Sequence, residues 1–255
     1  MSVLLEAQGL HKRFGGVRAV QGISLQVEAD SVFALIGPNG AGKSTMMNLL
    51  SGTYQPDAGE LVFDGVSLAG LPAHRRARLG IARTFQKIRL FRQLSLLDNV
   101  LAGFHLHHKV PAWQYLLPAA AFWRDWHACR EEAMALLDFV GLADRAHERA
   151  GALAYGQQRL LEIARALATR PRLFMLDEPA AGLNGGEVEF LLGRLREMRT
   201  RGITVVVVEH NMELVMNVAD HVFVMDHGEY LFQGTPGEVQ ANPAVIAAYL
   251  GGEFA

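Results

Sequence analysis

Residues 37–45, GPNGAGKST, follow the apolar run SVFALIG and fit the spacing G-x-x-x-x-G-K-[ST] through Gly37, Gly42, Lys43 and Ser44. Glycines so spaced let successive backbone N–H groups turn inward around phosphate oxygens, at a helix N-terminus whose dipole favours anions. The loop needs a buried strand before it and a helix after it, which the pattern predicts over 43–51. Lys43 is then set to reach the β- and γ-phosphates of a nucleotide, and Ser44 to offer its hydroxyl to Mg²⁺. Pro38, Asn39, Gly40, Ala41 and Thr45 complete the phosphate-binding stretch.

The remaining strand signals agree with that frame. SVFALIG (31–37), RLFMLDE (172–178), ITVVVVEH (203–210) and HVFVMDHG (221–228) are continuous apolar runs. Such runs suit strands covered on both faces, hence a largely parallel sheet flanked by helices. Helical patterns at 157–169 and 186–200 supply the alternation of an α/β core. LLEAQGLHKRF and GISLQVEAD alternate instead, and predict an antiparallel flap. Between about 93 and 153 strand signals vanish and the pattern reads as helices, so the expected division is a core of 1–92 and 154–255 with a helical subdomain at 93–153.

In RLFMLDEP, two carboxylates end a buried strand at the sheet edge where ligands bind in such folds. Asp177 is placed to hold Mg²⁺ through water. Glu178, pointing elsewhere, is placed to take a proton from an attacking water. His210, at the tip of VVVVEH, reaches the same edge and is expected near the γ-phosphate.

The 255 residues carry a net charge of −2, which gives no global drive toward nucleic acid or anionic membrane. One cysteine, Cys129, excludes an internal disulfide framework and suits a reducing compartment. The start of the chain lacks a signal-peptide pattern, and its longest apolar stretches fall short of a membrane span. The run at 74–93 holds seven Lys/Arg and no acid, and reads as a solvated helix face, with a lipid- or nucleic-acid-facing patch as alternatives. His105, His107 and His108 lack a carboxylate or thiol at metal-ligand spacing and read as surface. The Trp-rich stretch 111–126 is too apolar for a free surface, so it packs locally or forms a docking face.

The ordered set GPNGAGKST, TFQ (84–86), LAYGQQ (153–158), FMLDEP, AAGLN (180–184) and VVEH resembles the motifs of ATP-binding-cassette ATPases across essentially the whole chain. RTFQKIRLFRQLSLLDNV, EPAAGLN and GTPGEVQANPAVIAAYLG are most similar to ATP-binding subunits of branched-chain amino acid importers, and the insertion near 105–128 to the longer of that system's two ATPase subunits. The resemblance implies a P-loop NTPase (RecA-like) core, with ATP and Mg²⁺ as substrate and cofactor. It implies that Phe14 stacks on adenine with Val20 behind it, and that Gln86 reaches Mg²⁺ and the attacking water. It makes Asn184 the D-loop residue, where LNGG lacks the usual proline and predicts a looser loop. It implies a head-to-tail pair of ATPase subunits, identical or paralogous, in which the signature Ala154, Tyr155, Gly156 and Gln157 closes over the other subunit's ATP. On that reading the helix beginning near Gly156 faces no partner in its own chain. Ala154 stands where the common signature has a serine; if nothing replaces that hydroxyl, the loss of one bond to a charged group, about 1.5–3 kcal/mol, weakens the ATP sandwich by about tenfold to a hundredfold, a variant interface whose site, with Glu178, Lys43 and His210 present, is still expected to hydrolyse. The implied partners are membrane permease subunits and, indirectly, a substrate-binding protein, with no nucleic acid. The implied place is the cytoplasmic face of the membrane. A different cargo such as urea, an amide or a lipid, and a soluble cassette acting on DNA or ribosomes, are the competing readings.

Overall fold

The computed structural model describes residues 2–106 and 120–251. Cα packing divides the chain into two compact units, Met1–Arg83 with Arg172–Ala181 and Val188–Ala255, and Thr84–Pro171 with Gly182–Glu187.

The first unit holds two sheets. β1 (Val3–Phe14) and β2 (Val17–Glu28) form an antiparallel hairpin, and β4 (Ala58–Phe63) and β5 (Val66–Ser67) extend it in the order β2-β1-β4-β5. Their alternating burial matches the alternating sequence and makes the expected flap, one face of which enters the core through Leu5, Ala7, Leu10, Ile23, Leu25 and Val27. The second sheet contains β3 (Val32–Ile36), β6 (Ile81–Arg83), β7 (Leu173–Asp177), β8 (Thr204–Val208), β9 (His221–Asp226) and β10 (Glu229–Gly234). Its order is β10-β9-β3-β8-β7-β6, parallel throughout except for the antiparallel β10. Every residue of β3, β7 and β8 is buried, as continuous apolar runs require.

Helices α1 (Lys43–Ser51), α2 (Ala73–Arg78), α6 (Gly185–Thr200), α7 (Met212–Val218), α8 (Pro236–Ala241) and α9 (Pro243–Gly251) complete the α/β alternation. α8 opens with a capping box, Thr235 and Glu238 bonding each other's backbone N–H. Among the described residues, no helix is long and apolar enough to cross a membrane.

The second unit is built on α3 (Leu96–Gly103), α4 (Ala120–Phe139) and α5 (Tyr155–Leu167), with α3 packed on both others. Leu160, Leu161, Ile163, Ala164 and Leu167 are buried along one stripe of α5. Gly103 of α3 is a point of close approach, since a Cβ there would lie 2.3 Å from the Arg165 carbonyl oxygen. This unit is wider than the expected 93–153 and takes in the whole of α5. His107, His108 and residues 111–119 of the Trp-rich stretch lie outside the described residues, while His105 is exposed.

The basic run 74–93 corrects one expectation. Arg75, Arg78, Lys87, Arg89 and Arg92 are exposed, but Arg76 is only 1% exposed. Its guanidinium donates to the carbonyls of Leu71, Leu49, Leu50 and Leu68 at 2.9, 2.7, 3.0 and 3.1 Å. Two of these end helix α1, so an arginine caps the helix that the phosphate loop begins. Burial pulls the Arg76 pKa down to about 10. Arg83, nearly buried as well, belongs to the candidate site.

Candidate active site

The sheet register brings the motifs together. Val208 of β8 is level with Leu35 of β3 on one side and with Asp177 of β7 on the other. The carboxyl ends of three neighbouring parallel strands therefore finish at one edge, where the loop after β3, the Asp177–Glu178 pair and His210 emerge.

The loop is shaped by glycines that nothing else could replace. A Cβ on Gly37, at φ 152°, would lie 2.1 Å from the Met225 carbonyl oxygen, and one on Gly42, at φ 98°, would lie 2.3 Å from that of Ala19. Gly42 is also the N-cap of α1 and brings no side-chain bond to it, so backbone N–H groups at this helix start remain available to an anion. Lys43 is buried, its Nζ donating to the carbonyls of Gly37 and Pro38 at 2.7 and 2.9 Å. Burial lowers its pKa, against the opposing charges of Glu178 and Asp177. Pro38 and Thr45 are half-buried, Ala41 is buried, and Asn39, Gly40 and Ser44 are exposed.

Asp177 is 5% exposed and its Oδ2 accepts from Arg83 Nη2 at 2.8 Å. Arg83 Nη1 also donates to Asn48 Oδ1 at 2.7 Å and Ser51 Oγ at 3.1 Å, so one guanidinium ties β7 to α1. Glu178 has the left-handed φ of 48°, costly for a residue with a side chain, and its N–H is anchored on the Val208 carbonyl at 2.9 Å. His210 Nε2 lies 3.6 Å from Glu178 Oε2. Glu209, missed in the sequence, is 2% exposed. Its carboxylate accepts the N–H of Ala180 at 2.9 Å and of His210 at 3.3 Å, stitching the turn after β7 to the end of β8. Burial raises its pKa, against those backbone donors.

The donor set suits a hard cation. Ser44 and Asp177 offer a hydroxyl and a carboxylate oxygen, the kind of donor Mg²⁺ takes one or two of while phosphates and waters supply the rest. Phe14, at the end of β1, is 44% exposed, edge-on to Tyr54 at 5.3 Å and with Lys12 Nζ 5.7 Å from its ring centre. It is therefore not part of the flap's own core. Val20 is 1% exposed and is, so it can support a ligand only from beneath.

The second unit carries the other motif residues. Gln86 is exposed, and its carbonyl accepts from Arg159 at 3.0 Å. α5 starts at Tyr155 with Ala154 as N-cap and no side-chain cap bond. The start of α5 does have partners in its own chain, contrary to expectation. Gln157 Oε1 accepts from Arg145 Nη1 at 2.7 Å, Gln158 Nε2 donates to the Leu153 carbonyl at 2.8 Å, and a Cβ on Gly156 would lie 2.4 Å from Glu187 Oε1. The apolar spacing of α5 reports its buried stripe and says nothing of these polar neighbours. Nor is the loop at Asn184 loose. Asn184 Oδ1 accepts the Glu187 N–H at 3.0 Å while Glu187 Oε2 accepts that of Asn184 at 2.9 Å, a reciprocal cap that needs no proline.

Residues 20–181 match the ABC transporter family, and residues 231–255 match the branched-chain amino acid ATP-binding cassette transporter family. The chain is 47% identical over 249 residues to the high-affinity branched-chain amino acid transport ATP-binding protein BraF of Pseudomonas aeruginosa, a match spanning 97% of this chain and 98% of the relative. It is 42% identical over the same shares to LivG of Escherichia coli, of the same description. Among solved structures, the ADP conformation of an ATP-binding cassette of an ABC transporter aligns with a TM-score of 0.85 at 30% identity, over 98% of this chain and 100% of that one. The sheet-edge constellation and these full-length matches agree: the chain belongs to the ATP-binding cassette ATPases of ABC transporters.

Proposed function

We propose that this chain is the ATP-hydrolysing, energy-coupling subunit of an importer for branched-chain amino acids. The observation that carries the chemistry is the register that sets Gly37–Thr45, Asp177–Glu178 and His210 at one sheet edge. The cargo rests on the 47% identity to BraF across nearly the whole chain and on the C-terminal family match.

ATP lies with its phosphates on the backbone N–H groups of residues 37–45 and its base against Phe14. Lys43 leaves the carbonyls of its own loop for the β- and γ-phosphates. A water oxygen attacks the γ-phosphorus in line while the bond to the ADP oxygen breaks, and the water's proton passes to the Glu178 carboxylate. His210 orients that carboxylate or donates to the charged phosphate. Ser44, Asp177 and Gln86 would hold Mg²⁺, which when bound neutralises charge on the phosphates. Gly156 and Gln157, at the start of α5, offer N–H groups to the γ-phosphate bound by a second ATPase subunit, identical or paralogous, arranged head to tail. Ala154 has no hydroxyl to add to them. The pair works from the cytoplasmic face of the membrane on permease subunits, and through these with a substrate-binding protein.

A tagged Glu178→Gln chain, which binds ATP without cleaving it, tests the assignment when captured from detergent-solubilised membranes. A multi-span permease pair is the expected companion. Ribosomes or DNA, with nothing from the membrane, would leave only the ATPase chemistry standing.

A further inference from the structure

Between β6 and α3, residues 84–94 form no helix or strand of their own, so their backbone polar groups need other partners. Two buried, charged residues of α5 supply them. Arg159 is fully buried; its Nη1 donates to the Phe85 carbonyl at 2.7 Å and to Glu162 Oε2 at 2.9 Å, and its Nη2 donates to the Gln86 carbonyl at 3.0 Å. Glu162, 2% exposed, turns its other oxygen to the Arg89 N–H at 3.1 Å. One planar fork thus takes the two successive carbonyls that flank the Gln86 Cα, and the carboxylate it carries takes the N–H three residues beyond. The Arg89 guanidinium lies 4.3 Å from the Phe85 ring centre, drawing the two ends of the turn together. Farther along, Asn99 of α3 holds both the N–H and the carbonyl of Phe91 at 2.9 and 3.0 Å.

A buried ion pair is a poor device for stability, because its desolvation offsets most of its attraction, but it is a good device for fixing geometry. The geometry fixed here is that of a loop on a helix. Arg159 lies three residues beyond Gly156, less than one turn and about 4.5 Å along the axis. The carbonyl of Gln86 is therefore fastened to the helix whose first turn carries the signature residues.

We propose that Arg159 and Glu162 are positioning residues for Gln86, holding loop 85–89 on α5 so that Gln86 and the start of α5 keep one fixed relation. The proposal rests on the reading of Gln86 as a residue of the ATP site. Lysine at 159 would keep the charge but lose the fork that reaches both carbonyls.

The test uses the full chain with Arg159→Met/Glu162→Leu, which removes both charges together and leaves no lone buried ion, and Arg159→Lys as a second, milder variant. Hydrogen exchange, steady-state ATPase kinetics and the affinity for a fluorescent ATP analogue are measured on each. The expected result is amide exchange at least tenfold faster for residues 85–90 with α5 still protected, a kcat lowered about tenfold, and KM and analogue affinity within about twofold of the parent. Gln86→Ala is expected to lower kcat by a similar factor, and combining it with the pair variant to add little. Unchanged exchange at 85–90, or pair variants at full kcat beside a Gln86→Ala chain that is impaired, would overturn the positioning role alone. A Gln86→Ala chain at full kcat would overturn the reading of Gln86, and the proposal with it.

Discussion

Replacing Arg83 by methionine removes the cation that the structure pairs with Asp177. The Arg83–Asp177 pair is 2.8 Å long with side chains only 9% and 7% exposed, so breaking it takes the cation from a buried carboxylate. Losses of this kind run to about 3–5 kcal/mol. The bonds from Nη1 to Asn48 and Ser51 add about 0.5–1.5 kcal/mol each, partly recovered because methionine fills the arginine stem. The net expectation is about 4 kcal/mol, or about 8–16 °C in melting temperature for a chain of this size. Mg²⁺ with ATP would bring a new positive charge to Asp177, so the deficit of Arg83→Met is expected to shrink to about 1–2 kcal/mol when both are present. Differential scanning fluorimetry of the Glu178→Gln chain with and without Arg83→Met, in buffer alone and in Mg²⁺-ATP, reads both numbers. Arg83→Lys, keeping a charge without the fork, is expected between them. An equal deficit in the two conditions would refute the assignment of Asp177 to the metal, and a deficit under about 1 kcal/mol would refute the account of the pair.

Glu178→Gln is expected to lower ATP turnover by about a hundredfold or more while nucleotide affinity stays within about threefold, as for loss of a general base; a matching loss of affinity in a titration would speak against that role. Gly42→Ala places a Cβ 2.3 Å from backbone at φ 98° and is expected to cost about 2–4 kcal/mol with loss of ATP binding, whereas Gly156→Ala meets the Glu187 carboxylate, whose displacement gives up its bond to the Asn184 N–H, and is expected to cost about 0.5–1.5 kcal/mol. Thermal melts of the two variants decide it. Burial raises the Glu209 pKa, so the folded chain holds this proton more tightly than the unfolded chain, whose value is near 4.5. The stability difference between parent and Glu209→Gln is therefore expected to move against the parent as pH rises from 4.5, measurable by denaturant unfolding across that range.

The parts of the site legible in the sequence are those whose physics is local. GPNGAGKST demands its own backbone, and a residue after a buried apolar run must emerge at a sheet edge, so sequence pattern alone sets Gly37, Asp177, Glu178 and His210 at one edge. Burial of β3, β7 and β8 followed from their unbroken apolar character for the same reason. The arginines were not legible. Arg76, Arg83 and Arg159 look like any solvated cation in composition, and what buries them is a set of carbonyls or a carboxylate distant in sequence, such as Asp177 for Arg83 and the Phe85 carbonyl for Arg159. Three-residue β6 carries too short a pattern to register as a strand. The pair Glu209 and Glu162 escaped notice because a lone acid in an apolar stretch gives no hint of the backbone N–H groups waiting for it. At Asn184 the sequence does carry the signal, since Asn and Glu three residues apart at a helix start make a cap that needs no proline.

ATP hydrolysis at this sheet edge is proposed to drive branched-chain amino acids across a membrane. The most direct measurement is uptake of labelled leucine into proteoliposomes that carry the membrane complex purified through a tag on this chain, with ATP on the side of the cassette. ATP-dependent leucine uptake is expected, which unlabelled isoleucine and valine compete away and Glu178→Gln abolishes. Uptake of another cargo in place of leucine, or leucine uptake undiminished by Glu178→Gln, would contradict the proposal.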